Sequence, residues 1–262
     1  MTPAMAHDGS ALHTCDAADA PSSMRFPSPP ALMSRQNLTR ELAELRHLLL
    51  SMADIVKEQF GDAVRALLTN DQDLADAVVE RDNEVDRLEL EIDQQCERIL
   101  ALYQPVAVDL RFLIVVVKIN TDLERMGDHC RNLARNVEHV RNAPSVIEHT
   151  NLEELAEACS NILAEAQRSF LERDETLAQE VPAFDERVNT LHRENFDRLV
   201  QFCKAHPEHA EPAAHLITAS KAIERIGDHA KSIAKSVVFL IEGEDLRHAS
   251  VQAQEASSER AS

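Results

Sequence analysis

Acidic side chains four residues apart occur twice in the sequence, in two copies of one short motif. Residues 123–137 read LERMGDHCRNLARNV, and residues 223–237 read IERIGDHAKSIAKSV. The acids lie at equivalent positions 100 residues apart: Glu124 and Asp128, then Glu224 and Asp228. Because residues four apart share one face of a helix, each pair can bind one cation. Carboxylate ligands suit magnesium, manganese or iron better than a dedicated zinc site.

A second set of acids lies on the helix predicted before the first motif copy. They follow one another at spacings of four, three and four residues: Asp82, Asp86, Glu89 and Asp93. Such a row costs a few tenths of a kcal/mol per pair unless a cation offsets the repulsion. The equivalent row in the second half carries less charge: Asp185, Asn189, His192 and Phe196. If only one site holds a metal, we expect it to be the first.

The residues around the motif have less specific interpretations. Gly127 costs about 1 kcal/mol relative to alanine inside a helix, so we expect another group to approach its backbone closely. We interpret His129 and His229 as residues of the core or of the surroundings of the site, since both lie nearer the apolar stripe than the acids do. Arg125 and Arg225 are interpreted as ion-pair partners rather than phosphate ligands. The alternative for the acids themselves is an ordinary solvated helix face.

Composition indicates an all-helical protein. The chain has 262 residues, 44% of them hydrophobic, with five glycines, one tyrosine and no tryptophan. Sheets favour aromatic residues and turns favour glycine, so this composition favours helices. The net charge of −19 argues against general nucleic-acid binding. The five cysteines lack metal-ligand spacing and are expected to be reduced thiols in a cytoplasmic protein. No apolar run is long enough to span a membrane, and no secretory signal precedes the first helix.

Apolar residues at three- and four-residue steps predict six long helices. The predicted ranges are Thr39–Leu68, Leu74–Leu102, Pro105–Val140, Leu152–Arg173, Phe184–Cys203 and Pro212–Leu240, with Gly243 ending the last. The segment from Leu110 to Ile119 is apolar almost all round, and we expect it to be deeply buried. Pro182 predicts that the fifth helix starts late or is kinked there.

The second and fifth helices match at an offset of 103 residues, for example at Asp82 and Asp185. The repeat therefore covers a whole three-helix unit. It predicts two tandem antiparallel three-helix bundles, at residues 36–143 and 148–243. Residues 1–35 and 244–262 are predicted to be flexible tails. One hypothesis is that translation starts at Met24 or Met33 rather than at Met1.

Three stretches of the sequence resemble the PhoU family, and the similarity covers roughly residues 36–243. They are PVAVDLR at 105–111, KINTDLERMGDH at 118–129 and the second ERIGDH at 224–229. The resemblance implies two three-helix bundles and a cytoplasmic accessory regulator that represses phosphate-starvation genes. It implies partnership with the phosphate ABC transporter ATPase and a membrane sensor histidine kinase. Family members adopt several oligomeric states, and a homodimer is our hypothesis here.

The resemblance also implies that the acid motifs are surface metal sites for iron, zinc, manganese or magnesium. In the first bundle, Asp82-xxx-Asp86 and Glu124-xxx-Asp128 match the family pattern. In the second bundle, Glu224-xxx-Asp228 matches, whereas Asp185-xxx-Asn189 departs from it. This departure puts full occupancy of a second site in doubt.

Two other classes of protein are alternatives to a regulatory adaptor. The first is a di-metal carboxylate enzyme on a helical bundle, which would need repeated Glu-x-x-His motifs that the sequence lacks. The second is a purely structural helical scaffold. Neither a nucleophile-base-orienter set nor a glycine-rich phosphate loop occurs, so catalysis is not expected. A helix-turn-helix DNA binder is disfavoured by the charge and by the length of the helices.

Overall fold

A computed structural model describes residues 35–243, and these residues are folded into helices and short connections. The first repeat contains α1 (Arg35–Thr69), α2 (Gln72–Tyr103) and α3 (Val108–Arg135). The second contains α6 (Leu152–Glu172), α7 (Glu175–Ala205) and α8 (Ala210–Glu242). Two four-residue helices, α4 (Val137–Val140) and α5 (Pro144–Ile147), connect them, and a 3-10 turn (Pro207–His209) precedes α8. The all-α fold of two tandem three-helix bundles is confirmed. The predicted tails lie outside the described residues, except that Arg35 begins α1.

The two repeats begin their second helices in the same way. Asp71 precedes α2 and accepts a hydrogen bond from the backbone N–H of Leu74 at 3.0 Å. Asp174 precedes α7 and accepts one from the N–H of Leu177, also at 3.0 Å. Such caps satisfy an N–H that has no partner within the helix, and each contributes about 1 kcal/mol. The caps at equivalent positions support the repeat read from the sequence.

Helices α3 and α8 form the main contact between the repeats and run antiparallel to each other. The His129 and His229 rings, at equivalent positions in the repeats, lie 5.6 Å apart near the middle of this contact. Towards one end, Lys118 Nζ lies 4.7 Å from the centre of the Phe239 ring. A continuous apolar core extends through both repeats. The two acid motifs are therefore carried by the two central helices of one packed body.

The third helix is shorter than predicted at both ends. Pro105 is buried ahead of α3, which begins only at Val108, after Ala107 with a positive φ of 49°. At its other end the helix breaks at Asn136, whose Nδ2 donates to the carbonyl of Asn132 at 2.7 Å. Local side-chain bonds of this kind compete with the helical ladder, and the chain resumes as the separate α4. The single helix predicted from Pro105 to Val140 is wrong in these two respects.

Helix α7 does not start late. It begins at Glu175 and passes through Pro182, so the predicted start near Phe184 is wrong. Proline removes one backbone hydrogen bond in a helix interior. Here the turns before it are held by the Asp174 cap and by burial of Leu177 and Val181, which are 7% and 0% exposed. Packing therefore overrides the cost of the proline.

The apolar segment of α3 is not buried all round. Its buried face includes Leu113, Val116 and Ile119, but its other face is open to solvent. The side chains on the open face are more than a third exposed: Leu110, Ile114 and Val117. A helix that packs against a bundle on one side leaves its far side open, whatever the residues there. None of the helices between residues 35 and 243 is both long and apolar enough to cross a membrane.

Candidate functional site

Asp82 is a buried acid at the centre of the first repeat. It lies on α2 and is 2% exposed. Arg131 of α3 donates hydrogen bonds to Asp82 and to Asp128. Gln59 of α1 donates to Asp82 Oδ1 and to the carbonyl of Val78, each at 3.2 Å. A buried carboxylate without partners costs several kcal/mol, so these bonds explain how the core accommodates the charge.

Gly127 allows α2 to approach α3 at this point. A Cβ atom at Gly127 would lie 3.0 Å from Asp82 Oδ1 and 3.2 Å from Val85 Cγ1. Both distances are shorter than ordinary van der Waals contact. The expectation that another group lies close to the Gly127 backbone is confirmed, and that group is the buried aspartate itself.

Carboxylates gather on the surface beside this buried pair: Asp86, Glu89, Glu124 and Asp128. Partial burial and then the charge of Asp82 raise the pKa of the Asp86 carboxyl. Partial burial and then the charges of Asp128 and Glu89 raise the pKa of Glu124. The pKa of Glu89 is raised in the same way, by partial burial and then by Asp93 and Asp86. A cation placed among these side chains would relieve the repulsion between them.

The second repeat has the same buried pair but different surroundings. Lys231 of α8 donates to Asp185 and, at 3.0 Å, to Asp228. Asn189 donates to Asp185 Oδ2 at 3.0 Å. His192 contacts the hydroxyl of Ser220 at 2.8 Å rather than a carboxylate.

The acids of the second motif are balanced by basic residues. Glu224 lies 2.6 Å from Lys221 Nζ, and Arg225 lies 3.4 Å from Asp228. Arg225 is thus an ion-pair partner, as predicted. Because every acid of the motif already has a basic partner, little negative charge is left over for a metal ion.

The two clusters differ in how well they fit a metal. As the side chains lie in residues 35–243, no group of three or more His, Cys, Asp or Glu residues has the geometry to hold an ion. In the first cluster the donor chemistry fits a hard cation, since several carboxylates repel one another there. In the second cluster it does not fit, because Lys221, Arg225 and Lys231 occupy the carboxylates.

The central histidines lie between the repeats rather than in either acid cluster. His229 Nδ1 lies 2.9 Å from Asp122 Oδ1, which joins α8 to α3. Burial, and then the neighbouring His229, lower the pKa of His129. Both rings are half-buried. The pair was expected near the core or the site, but its position across the contact between repeats was not predicted.

Several residues of the site were missed by the sequence reasoning. Arg131 and Lys231 each follow the motif aspartate by three residues, so a signal was present in both copies. A basic residue one turn after an acid commonly pairs with it. Gln59 gave no signal, since a single glutamine on the first helix has no counterpart in a motif.

Fold and site together define a class of protein: an all-helical tandem-bundle protein with a duplicated acidic motif on its two central helices. A family profile described as "PhoU domain" matches this chain at residues 49–137 and again at 152–237. The matches coincide with the two repeats, and the chain belongs to the PhoU family.

Curated relatives and solved structures agree with this assignment. A "Phosphate-specific transport system accessory protein PhoU homolog" from Pseudomonas aeruginosa is 35% identical over 81% of this chain and 88% of its own length. A protein of the same description from Aquifex aeolicus is 33% identical, over 80% of this chain and 96% of its own.

Two crystal structures share the fold. PhoU from Pseudomonas aeruginosa superposes with a TM-score of 0.74 at 33% identity, covering 79% of this chain and all of that one. The phosphate transport system regulatory protein PhoU from Streptococcus pneumoniae gives 0.73 at 25% identity, covering 79% of this chain and 98% of that one.

Proposed function

We propose that this protein is a cytoplasmic accessory regulator of phosphate uptake that keeps phosphate-starvation genes repressed when phosphate is ample. The observation that carries the proposal is the match of both repeats to one family, whose relatives are described as accessory proteins of phosphate-specific transport. The proposed role is non-catalytic, because those descriptions name accessory and regulatory proteins.

Deletion of the gene tests the proposed role. We expect a reporter of phosphate-starvation genes to rise in high phosphate, and a copy of the gene supplied in trans to restore repression. If the reporter stays low in the deletion strain while phosphate is ample, the regulatory proposal is wrong. The same reporter in low phosphate is the internal control, because it should be high in every strain.

The proposed partners are the ATPase of the phosphate ABC transporter and a sensor histidine kinase, and the protein is proposed to act as a homodimer. In this scheme the chain links transport to gene expression by binding both proteins. Affinity purification from cells grown in high phosphate should recover both partners, and sedimentation velocity should give a dimer. Recovery of neither partner would contradict the adaptor role, and a monomer would contradict the dimer.

We further propose that the first acid cluster associates with a metal ion such as iron, zinc, manganese or magnesium. Asp86, Glu89, Glu124 and Asp128 would supply the carboxylate ligands, and Asp128 is also bonded to Arg131. An ion there would offset the repulsion that, after partial burial, contributes to the raised pKa values of Asp86, Glu89 and Glu124. Asp82 is engaged by Arg131 and Gln59, so its proposed part is to hold α2 and α3 in place.

Metal analysis of purified protein tests this assignment. Glu124→Gln should lower the bound metal per chain, whereas the matched control Glu224→Gln in the second repeat should leave it unchanged. The metal content is measured by mass spectrometry after dialysis. Equal metal content in the native protein and both variants, or none in any of them, would contradict a site in the first cluster.

A further inference from the structure

A cleft of about 510 Å³ opens at one end of the molecule, where α1 and α3 lie beside the ends of α6 and α8. Three arginines from different elements line it: Arg46 on α1, Arg111 on α3 and Arg173 directly after α6. The volume falls within the usual range for small-ligand sites. Three arginines in one cleft are unexpected, because the chain has 46 acidic and only 27 basic residues.

Two of these arginines also hold helix ends. Arg46 Nη2 donates to the carbonyls of Phe170 at 2.7 Å and Leu171 at 3.1 Å. Arg111 Nη1 donates to the carbonyl of Leu240 at 3.4 Å. A guanidinium has five N–H donors, so each of these two arginines keeps further N–H groups that these bonds do not use. The Nε of Arg46 is buried and has no hydrogen-bond partner.

Across the part of the chain that the structure describes, the Arg173 side chain makes no hydrogen bond comparable to those of Arg46 and Arg111. Arg173 is an exposed residue in the left-handed conformation, with φ of 55°. Its charge lies close enough to Arg46 to lower the pKa of that guanidinium, after the larger effect of burial. Two like charges held together in this way destabilise the empty cleft, and an anion between them would remove the repulsion.

Across residues 35–243, none of the three guanidiniums forms an ion pair with Asp or Glu. Asp109 also lines the cleft, yet it is not within ion-pair distance of any of them. Within the described residues, therefore, no ion pair takes up the charge of these guanidiniums.

We propose that this cleft binds a small anion bearing a phosphate group, held by Arg46, Arg111 and Arg173. The planar guanidinium fork donates two parallel hydrogen bonds to tetrahedral oxyanions, which makes arginine suited to phosphate. The inference rests on the arginines alone and does not depend on the regulatory role.

Calorimetric titration of the full-length protein tests the site. Inorganic phosphate and adenosine monophosphate are titrated separately at one fixed ionic strength, since both carry the same group. We expect Arg173→Gln to weaken binding about tenfold or more, because one charge-assisted contact is lost. Arg173→Lys should weaken it less, because the charge remains while the fork is lost. Tighter binding of either compound supports the site and identifies the source of the phosphate group.

The matched control is the substitution Arg193→Gln, which changes the net charge by the same amount. Arg193 is an exposed arginine of α7 that pairs with Glu186. This variant should bind as the native protein does. If Arg173→Gln and Arg193→Gln weaken binding equally, the effect comes from overall charge rather than from the cleft, and the proposal is overturned. Failure of both compounds to bind at millimolar concentration overturns it as well. Binding that occurs only after residues 244–262 are removed would also overturn it, since the acidic Glu244 and Asp245 would then be the occupants.

Discussion

The two repeats keep the same internal ion pair but surround it with a different balance of charge. In each, a buried aspartate of the second helix is bonded to a basic residue of the third: Asp82 to Arg131, and Asp185 to Lys231. Around the first pair lies an excess of carboxylates, whereas around the second the acids are matched by Lys221 and Arg225. The shared pair belongs to the architecture of the fold, and the difference in surface charge is the reason for proposing a cation site in the first repeat rather than in the second.

A second difference concerns the histidines between the repeats. His229 has Asp122 within hydrogen-bond distance, whereas the position equivalent to Asp122 in the second repeat is Ala222. His129 therefore has no equivalent acid across the contact, and burial lowers its pKa. Two residues at the same position of the repeat thus have different electrostatic surroundings.

Removing the basic residue of the internal pair should have the largest effect on stability. We expect Arg131→Met to lower the free energy of unfolding by roughly 2–4 kcal/mol, because Asp82 would remain buried and charged. Lys231→Met should lower it by a similar amount through Asp185. Urea denaturation followed by circular dichroism measures both. Similar losses would support the view that the pair is a common structural element.

A double variant and a surface control separate this effect from general loss of charge. Asp82→Asn combined with Arg131→Met should recover part of the lost stability, since no unpaired charge remains. Arg135→Met, at an exposed position of α3, should change stability by about 0.5 kcal/mol or less. An Arg131→Met variant as stable as Arg135→Met would show that the pair is not structural.

The motif glycines should respond differently to alanine. At Gly127 a Cβ meets Asp82 Oδ1 at 3.0 Å, and that carboxylate is fixed by Arg131 and Gln59. Overpacking there should outweigh the gain in helix propensity and cost about 1–2 kcal/mol. At Gly227 the nearest atom is Val188 Cγ1 at 3.4 Å, an ordinary contact. Gly227→Ala should therefore stabilise the protein by up to about 1 kcal/mol.

Thermal melts of the two variants measure this contrast, with Gly61→Ala as a reference in open space. Gly61→Ala should raise the melting temperature through helix propensity alone. If Gly127→Ala is as stable as Gly227→Ala, the close approach of α2 to α3 is not a constraint, and the tighter packing assigned to the first repeat is wrong.

The fold was largely predictable, because it rests on apolar periodicity that the sequence carries twice. The helix ends were less so, since they depend on local bonds such as that of Asn136 to the carbonyl of Asn132. Periodicity could not show that α7 passes through Pro182 or that Leu110, Ile114 and Val117 face solvent. Both follow from which neighbours each helix meets, and that is a property of tertiary packing.

The acids of the candidate site were predictable as to position but not as to partners. Spacing placed Glu124 and Asp128 on one face, and they lie together in the structure. The burial of Asp82 against Arg131 depends on two residues that lie 49 positions apart in sequence, on different helices. The arginine cleft joins elements still more distant, for example Arg46 and Phe170, 124 residues apart. No local pattern could have brought those residues together.

The smallest expected effect is on stability, which the same substitution should change in opposite directions at the two motif glutamates. At pH 7, Glu124→Gln should stabilise the metal-free protein by a few tenths of a kcal/mol, because it removes one charge from a repelling cluster. Glu224→Gln should destabilise it by a similar amount, because the pairs with Lys221 and Arg225 are lost. Urea midpoints measured in the presence of a chelator give both values.

The effect at Glu124 should also depend on pH in a defined direction. Its folded pKa is raised above the ordinary value of 4.5 by partial burial and then by Asp128 and Glu89. Between the unfolded and folded pKa values the folded state binds more protons, so stability falls as pH rises through this window. The penalty from ionised Glu124 is therefore present at pH 7 and lost as pH falls through the folded pKa. The gain from Glu124→Gln should shrink towards zero by about pH 4. A gain that is the same at both pH values, or a loss of stability at pH 7, would show that Glu124 has a favourable partner and that the two repeats do not differ in this respect.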